Sequence, residues 1–232
     1  MFYTSTNADT GKIASLYSYT GYLTTPNTYI KDGEVSFFYS FINSSAAINT
    51  SSTKSDNWIF STSMGFLPFL ECYFSLYVEP QNNISEYTPN FGANKFRSLG
   101  VKMKIIDETK RVPSLAIGIF DPNLKKIGAK YSANSVSSTF VVFTKQYGFN
   151  KSSISLGYGS DILSGRFSRL NGIFGGINLC LNNNVSILLD YDAKYWSQGI
   201  GLQWRDIDVE YVLINSNALA FRIGYNINLY KK

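Results

Sequence analysis

The chain has 232 residues, 18 glycines, 6 prolines, no histidine and a formal net charge of +5. A length of this order suits a single all-β domain, and the lack of histidine removes the imidazole base on which Ser–His hydrolases depend. Basic residues occur only in small groups such as Lys125–Lys126 and Lys231–Lys232, which excludes a nucleic-acid partner, and two cysteines without histidine make no metal-ligand cluster, so no metal or cofactor is expected.

No apolar run reaches the ~18 residues of a membrane-spanning helix. A barrel strand crosses a bilayer with a much weaker, alternating signal, and that signal fills this chain. Residues 1–20 show no basic region followed by an apolar core, so no signal peptide is expected within them. Residues 1–32 form a distinct N-terminal segment, for which an extra strand over Ser15–Thr25, a plug and a linker all remain open. Residues 33–232 read as about twelve strands, each long enough to cross a bilayer when tilted. They are expected near 34–42, 57–65, 69–78, 97–106, 113–120, 137–146, 152–159, 173–181, 184–192, 197–204, 207–214 and 219–230.

The stretch 69–79 shows the code most clearly. Leu70, Cys72, Phe74, Leu76 and Val78 fall on one face, and Glu71, Tyr73, Ser75, Tyr77 and Glu79 on the other. The same alternation returns in Leu99, Val101, Met103 and Ile105 against Gly100, Lys102 and Lys104, and in Leu219, Phe221 and Ile223 against Ala220, Arg222 and Gly224. Two strands are poorly phased: 57–65, and 137–146 with its continuous run from Phe140 to Phe143. Cys72 falls on an apolar face and Cys180 on the opposite kind of face, so the two are not expected to pair.

The connections alternate in length. Long ones (43–56, 79–96, 121–136, 160–172) alternate with short ones (66–68, 107–112, 147–151, 182–183), as in outer-membrane barrels with long outer loops and short periplasmic turns. Three features favour apolar residues outside rather than inside. The polar faces carry small residues suited to a crowded lumen, such as Ser153, Ser155, Gly157 and Gly199. Aromatics such as Tyr39, Phe41, Trp58, Tyr191, Trp196, Trp204 and Tyr211 gather near strand ends, where a membrane interface lies. A soluble barrel of about twelve strands would also enclose more volume than side chains normally fill. The fold class is therefore an all-β, antiparallel transmembrane barrel with outer-membrane lipid as its solvent.

The run Gly21-Tyr22-Leu23-Thr24-Thr25-Pro26-Asn27-Thr28, followed by Asp32-Gly33-Glu34-Val35, resembles the opening of the YjbH family of outer-membrane, exopolysaccharide-associated proteins. Val101 to Lys104, Pro113 to Gly118, Thr144 to Gly148, Leu156 to Gly159, Phe174 to Gly176 and Leu189 to Asp192 fit the same family in order. The resemblance covers about residues 21–205 and corresponds to the barrel part of larger members. It implies a non-enzymatic barrel in the outer membrane of a Gram-negative-type bacterium. That barrel would take part in exopolysaccharide export or surface assembly, with polysaccharide and other envelope export components as partners. A general diffusion porin and a structural or adhesive barrel with a blocked lumen are the alternatives. Thr25-Pro26 by itself reads as a turn ahead of the first strand.

The pore-lining or cargo candidates are Glu71, Tyr73, Tyr77, Glu79, Lys102, Lys104, Asp190, Asp192, Glu210 and Arg222, with Glu34, Arg205 and Asp208 on the same kind of face. Both charge signs occur, which suits neutral, sugar-like cargo better than an ion-selective pore. Tyr73 and Tyr77 offer rings for stacking on sugars. Glu71 is expected to meet Lys104 across neighbouring strands, and Arg205 and Asp208 straddle a tight turn. Asp190 and Asp192 are a carboxylate pair of the kind glycosidases use, although ion-pair ladders account for such acids more simply.

Overall fold

The computed structural model describes residues 14–17, 19–47, 55–80, 93–120, 138–148, 152–160 and 170–230. Within them run β1 (Glu34–Ile42), β2 (Asn57–Leu67), β3 (Leu70–Pro80), β4 (Ala93–Ile106), β5 (Ser114–Phe120) and β6 (Ser138–Tyr147). They are followed by β7 (Ser152–Ser160), β8 (Gly172–Cys180), β9 (Val185–Tyr191), β10 (Trp196–Trp204), β11 (Ile207–Ile214) and β12 (Ala218–Asn228). Each strand pairs antiparallel with its sequence neighbours, and β1 closes on β12 from Glu34↔Asn228 to Ile42↔Ala220. No sheet edge is left, which is what hydrocarbon demands of a strand structure.

The wall alternates as its sequence requires. In β7, Ile154, Leu156 and Tyr158 face outward while Ser153, Ser155, Gly157 and Gly159 face the lumen. Leu156 is 61% exposed and Leu99 59%, so the outer face is a predominantly apolar surface, with Arg97 and Gln198 among its few polar groups and no protein partner among the described residues. Rings mark its two rims. Trp58, Tyr158, Tyr191 and Trp196 lie at the outer end, and Phe66, Phe69, Tyr147, Trp204 and Tyr230 at the periplasmic end; between them lie aliphatic residues such as Val101, Ile117, Ile187 and Ile200, together with the rings of Phe143 and Tyr211. Amphipathic rings settle at membrane–water boundaries and aliphatic groups in the hydrocarbon.

The two poorly phased strands now have reasons. In β2, Asn57, Ile59, Ser61, Ser63 and Gly65 face inward, and an irregularity between Gly65 and Leu67 breaks the alternation at the foot. In β6, Phe140 and Val142 face inward and pack with Ala116, Leu170 and Phe174 in a small apolar cluster inside the lumen. The continuous apolar run thus serves lipid on one face and this cluster on the other. Cys72 faces outward, Cys180 lies at the end of β8 with its thiol near Asn178, and the two do not form a disulfide.

The periplasmic turns are short, among them Pro68–Phe69 and Arg205–Asp206. At the outer end, Asn215 and Ser216 close β11 to β12 with φ of 51° and 59°, the left-handed pair a tight hairpin uses. Most of the expected long outer loops fall outside the described residues.

Replacing Leu156 by arginine puts a charge at the middle of a spanning strand. Equilibrium unfolding from lipid vesicles is expected to show a loss of about 2–4 kcal/mol. A change under 0.5 kcal/mol, the usual effect at an ordinary solvent surface, would reverse the assignment of faces.

Candidate functional site

A barrel of twelve strands has a wide interior, and here the chain itself occupies it. Residues 14–17 and 19–31 lie within the lumen and add no strand to the wall. This interior segment is folded on itself. Single bridges join Ala14 to Thr20 and Gly21 to Pro26, and the Tyr22 amide donates to the Thr25 carbonyl at 2.8 Å across a turn. At the periplasmic foot Gly33, with φ of +65°, turns the chain out of the lumen into β1, and the flanking contact with the Tyr230 ring leaves no room for a side chain.

Four groups of polar contacts hold the segment to the wall. Glu71 of β3 and Lys102 of β4 stand directly opposite each other and form an ion pair at 2.8 Å, both fully buried. Glu71 Oε1 accepts the Thr20 amide at 2.7 Å and its hydroxyl at 3.0 Å, while Lys102 Nζ donates to the Thr20 carbonyl at 2.8 Å. Across the lumen, Asp190 of β9 has no basic partner in hydrogen-bond contact among the described residues. Its carboxylate is instead met by four donors: the amides of Thr24 and Thr25 at 2.7 and 3.0 Å, and their hydroxyls at 3.0 and 3.1 Å. The Tyr22 hydroxyl meets Ser153 and Ser155 at 3.0 and 2.8 Å, next to Gly176, where a Cβ would press on the Tyr22 ring. Nearer β1, the Thr28 amide donates to Thr144 at 3.0 Å, its hydroxyl bonds Ser114, and Lys31 reaches Asn226 at 3.1 Å and Glu34 at 3.2 Å.

Apolar contacts complete the fit. Leu16, Tyr17, Tyr19, Tyr22 and Leu23 join wall residues including Ile42, Ile59, Tyr77, Leu188 and Val212 in one buried cluster. Tyr19 sits edge-on to Phe120 at 5.3 Å and to Tyr73 at 5.8 Å between ring centroids, a favourable arrangement for aromatic pairs.

The candidate residues divide by what they touch. Glu71, Lys102 and Asp190 bind the interior segment directly, and Tyr73 and Tyr77 pack in the cluster it completes. Asp192 follows β9 and accepts the amides of Lys194 and Tyr195 at 3.0 and 2.7 Å, so it caps a turn, apart from the Asp190 contacts. Glu210 and Arg222 face each other across β11 and β12 and pair at 3.1 Å. Arg222 also pairs with Asp208 and lies over the Phe38 ring at 4.9 Å, bracing the seam where the barrel closes. Lys104 does not meet Glu71: register puts Lys102 opposite Glu71, and Lys104 pairs with Asp107 at 2.6 Å near the turn. Arg205 does not pair with Asp208 either; it is exposed in its turn over the Trp204 ring, since Asp208 points inward to Arg222. The Glu79 side chain lies outside the described residues.

Sequence reasoning missed the hydroxyl donors Thr20, Tyr22, Thr24, Thr25 and Thr28. Their signal was present as a hydroxyl-rich run around Pro26, but a run of this kind also fits an ordinary turn, and nothing in the sequence places it against Asp190.

A closed antiparallel barrel with an apolar, ring-bordered exterior and a polar, charge-paired interior defines a transmembrane β-barrel of the outer-membrane type. The family model YjbH, described as "Exopolysaccharide biosynthesis protein YbjH", matches residues 14–171, the interior segment together with β1 to β7. This chain belongs to that family. Among solved structures it is similar to the KdgM porin, at 11% identity and a TM-score of 0.49, covering 83% of this chain and 97% of that one. A structure of KdgM porin in complex with disordered oligogalacturonate gives 11% identity, a TM-score of 0.46 and the same coverages. Outer membrane phospholipase A from Escherichia coli gives 10% identity, a TM-score of 0.38 and coverages of 88% and 95%. No curated protein matches the chain.

The Glu71–Lys102 pair provides a direct test of coupling. Lys102→Met alone leaves a buried carboxylate without its cation and is expected to cost roughly 3–5 kcal/mol, while the double change with Glu71→Gln costs markedly less than the two single changes together. Unfolding in detergent micelles measures all three, and strict additivity would show that the pair is not coupled.

Proposed function

We propose that this protein takes part in export or surface assembly of an exopolysaccharide, from the outer membrane of a Gram-negative-type bacterium. It acts there without catalysis, as a scaffold or conduit whose lumen is closed by its own N-terminal segment. The family supports the link to exopolysaccharide, and the apolar wall supports the membrane. The observation that carries the mode of action is the segment held inside the lumen, with Glu71 and Asp190 both engaged by it. An always-open diffusion pore would need that volume free. A carboxylate-based hydrolase is disfavoured because the Asp190 carboxylate is already taken by four donors and Asp192 caps a turn.

On this reading Glu71, Tyr73, Tyr77, Lys102, Lys104, Asp190, Glu210 and Arg222 line the closed conduit, with Asp192 at its outer end. Its partners are outer-membrane lipid, the polysaccharide and other envelope export components.

Two measurements test the proposal. In planar bilayers the unmodified protein is expected to give no steady open-channel current, and deleting its gene is expected to reduce polysaccharide at the cell surface. A constant open conductance with unchanged surface polysaccharide would instead make the protein a general porin.

A further inference from the structure

Resting on that reading, we propose that the interior segment is a stand-in for a glycan: the wall groups that hold it form a binding track for a neutral, polyhydroxylated chain, which the segment covers until it is displaced. The contacts have the chemistry of sugar recognition. At Asp190, the Thr24 hydroxyl donates to Oδ1 and the Thr25 hydroxyl to Oδ2, a fork that the two hydroxyls of a vicinal diol reproduce. Ser153 and Ser155 are paired with a hydroxyl of the segment, that of Tyr22, and can donate or accept, as a ring of sugar hydroxyls requires.

The apolar side of the track fits as well. Phe120 and Tyr73 lie with ring centroids 5.5 Å apart, and both are covered by Tyr19. Moving Tyr19 aside, together with Tyr17, which also packs edge-on to Phe120, bares adjoining ring faces of the kind on which the C–H face of a sugar packs.

Charge selects the ligand class. Glu71 keeps Lys102 as its counter-ion whether or not the segment is present, whereas Asp190 has only uncharged donors from it. Once uncovered, the Asp190 carboxylate accepts hydroxyls and repels an acidic polymer, so a neutral chain is preferred over a uronic one.

The test uses the full-length protein in detergent, with cellohexaose and a dextran oligomer as neutral probes and an oligogalacturonate as the acidic one. Thr24→Val with Thr25→Val removes donors from the segment and leaves the wall intact. Neutral probes are expected to bind this variant roughly tenfold or more tightly than the unmodified protein, because the competent state is more populated. Adding Asp190→Asn should reverse the gain. A tether gives an independent reading. Thr28→Cys with Ser114→Cys, in a background lacking Cys72 and Cys180, joins positions whose hydroxyls are in contact. Oxidised, this protein should bind none of the probes, and reduction should restore binding. Equal binding by unmodified and Val variants, preference for oligogalacturonate, or binding that ignores the tether would each overturn the inference. Closed conductance in the same preparations would leave the proposed function standing when the glycan inference fails.

Discussion

A sheet in hydrocarbon can have no free edge, because an unpaired amide or carbonyl finds no water there. The seam between β1 and β12 meets that requirement, and the rest of the molecule follows from it. Closure fixes the strands in one antiparallel ring and sends every second side chain inward. Inward residues therefore face neither lipid nor an ordinary core. They face an enclosed volume too wide for wall side chains alone to fill. In this chain residues 14–17 and 19–31 occupy it.

Burying charge in such a volume is costly unless each ion is paired or fully hydrogen-bonded. The wall uses both solutions. Glu71 with Lys102, and Arg222 with Asp208 and Glu210, are answered across neighbouring strands. Asp190 is answered by amides and hydroxyls of the segment instead. Wall and segment are therefore interdependent: removing the segment leaves the Arg222 group paired and uncovers Asp190. That asymmetry separates a brace from a seat. Arg222 holds the seam together, while Asp190 holds something that is able to leave.

The aromatic residues show the same division by height and face. Outward rings at the rims mark the depth of the bilayer, and inward rings at Tyr73, Tyr77 and Phe120 meet Tyr17 and Tyr19 of the segment. One residue type thus serves membrane anchoring and lumen packing, and only strand parity distinguishes the two. The glycines on inward faces mark close approach: Gly176 makes room for the Tyr22 ring, and Gly65 for the backbone at Lys31.

The wall is legible in residue order alone. Period-two alternation, an even strand number and rim aromatics are local properties, so Leu70 to Val78 could be assigned to lipid and Glu71 to Tyr77 to the lumen from residue order alone. Charge partners were only half legible. Residue order puts Glu71 on the right pair of strands but one alternation away from its partner, since a register offset between Lys102 and Lys104 is set by turn length and the whole ladder. The site itself was decided by tertiary structure. Residues 20–28 and Asp190 are far apart in sequence, and no periodicity links a hydroxyl-rich turn to a carboxylate on β9. Barrel closure brings them together, because only a closed ring creates the interior in which a segment from outside the wall can be held from several sides at once.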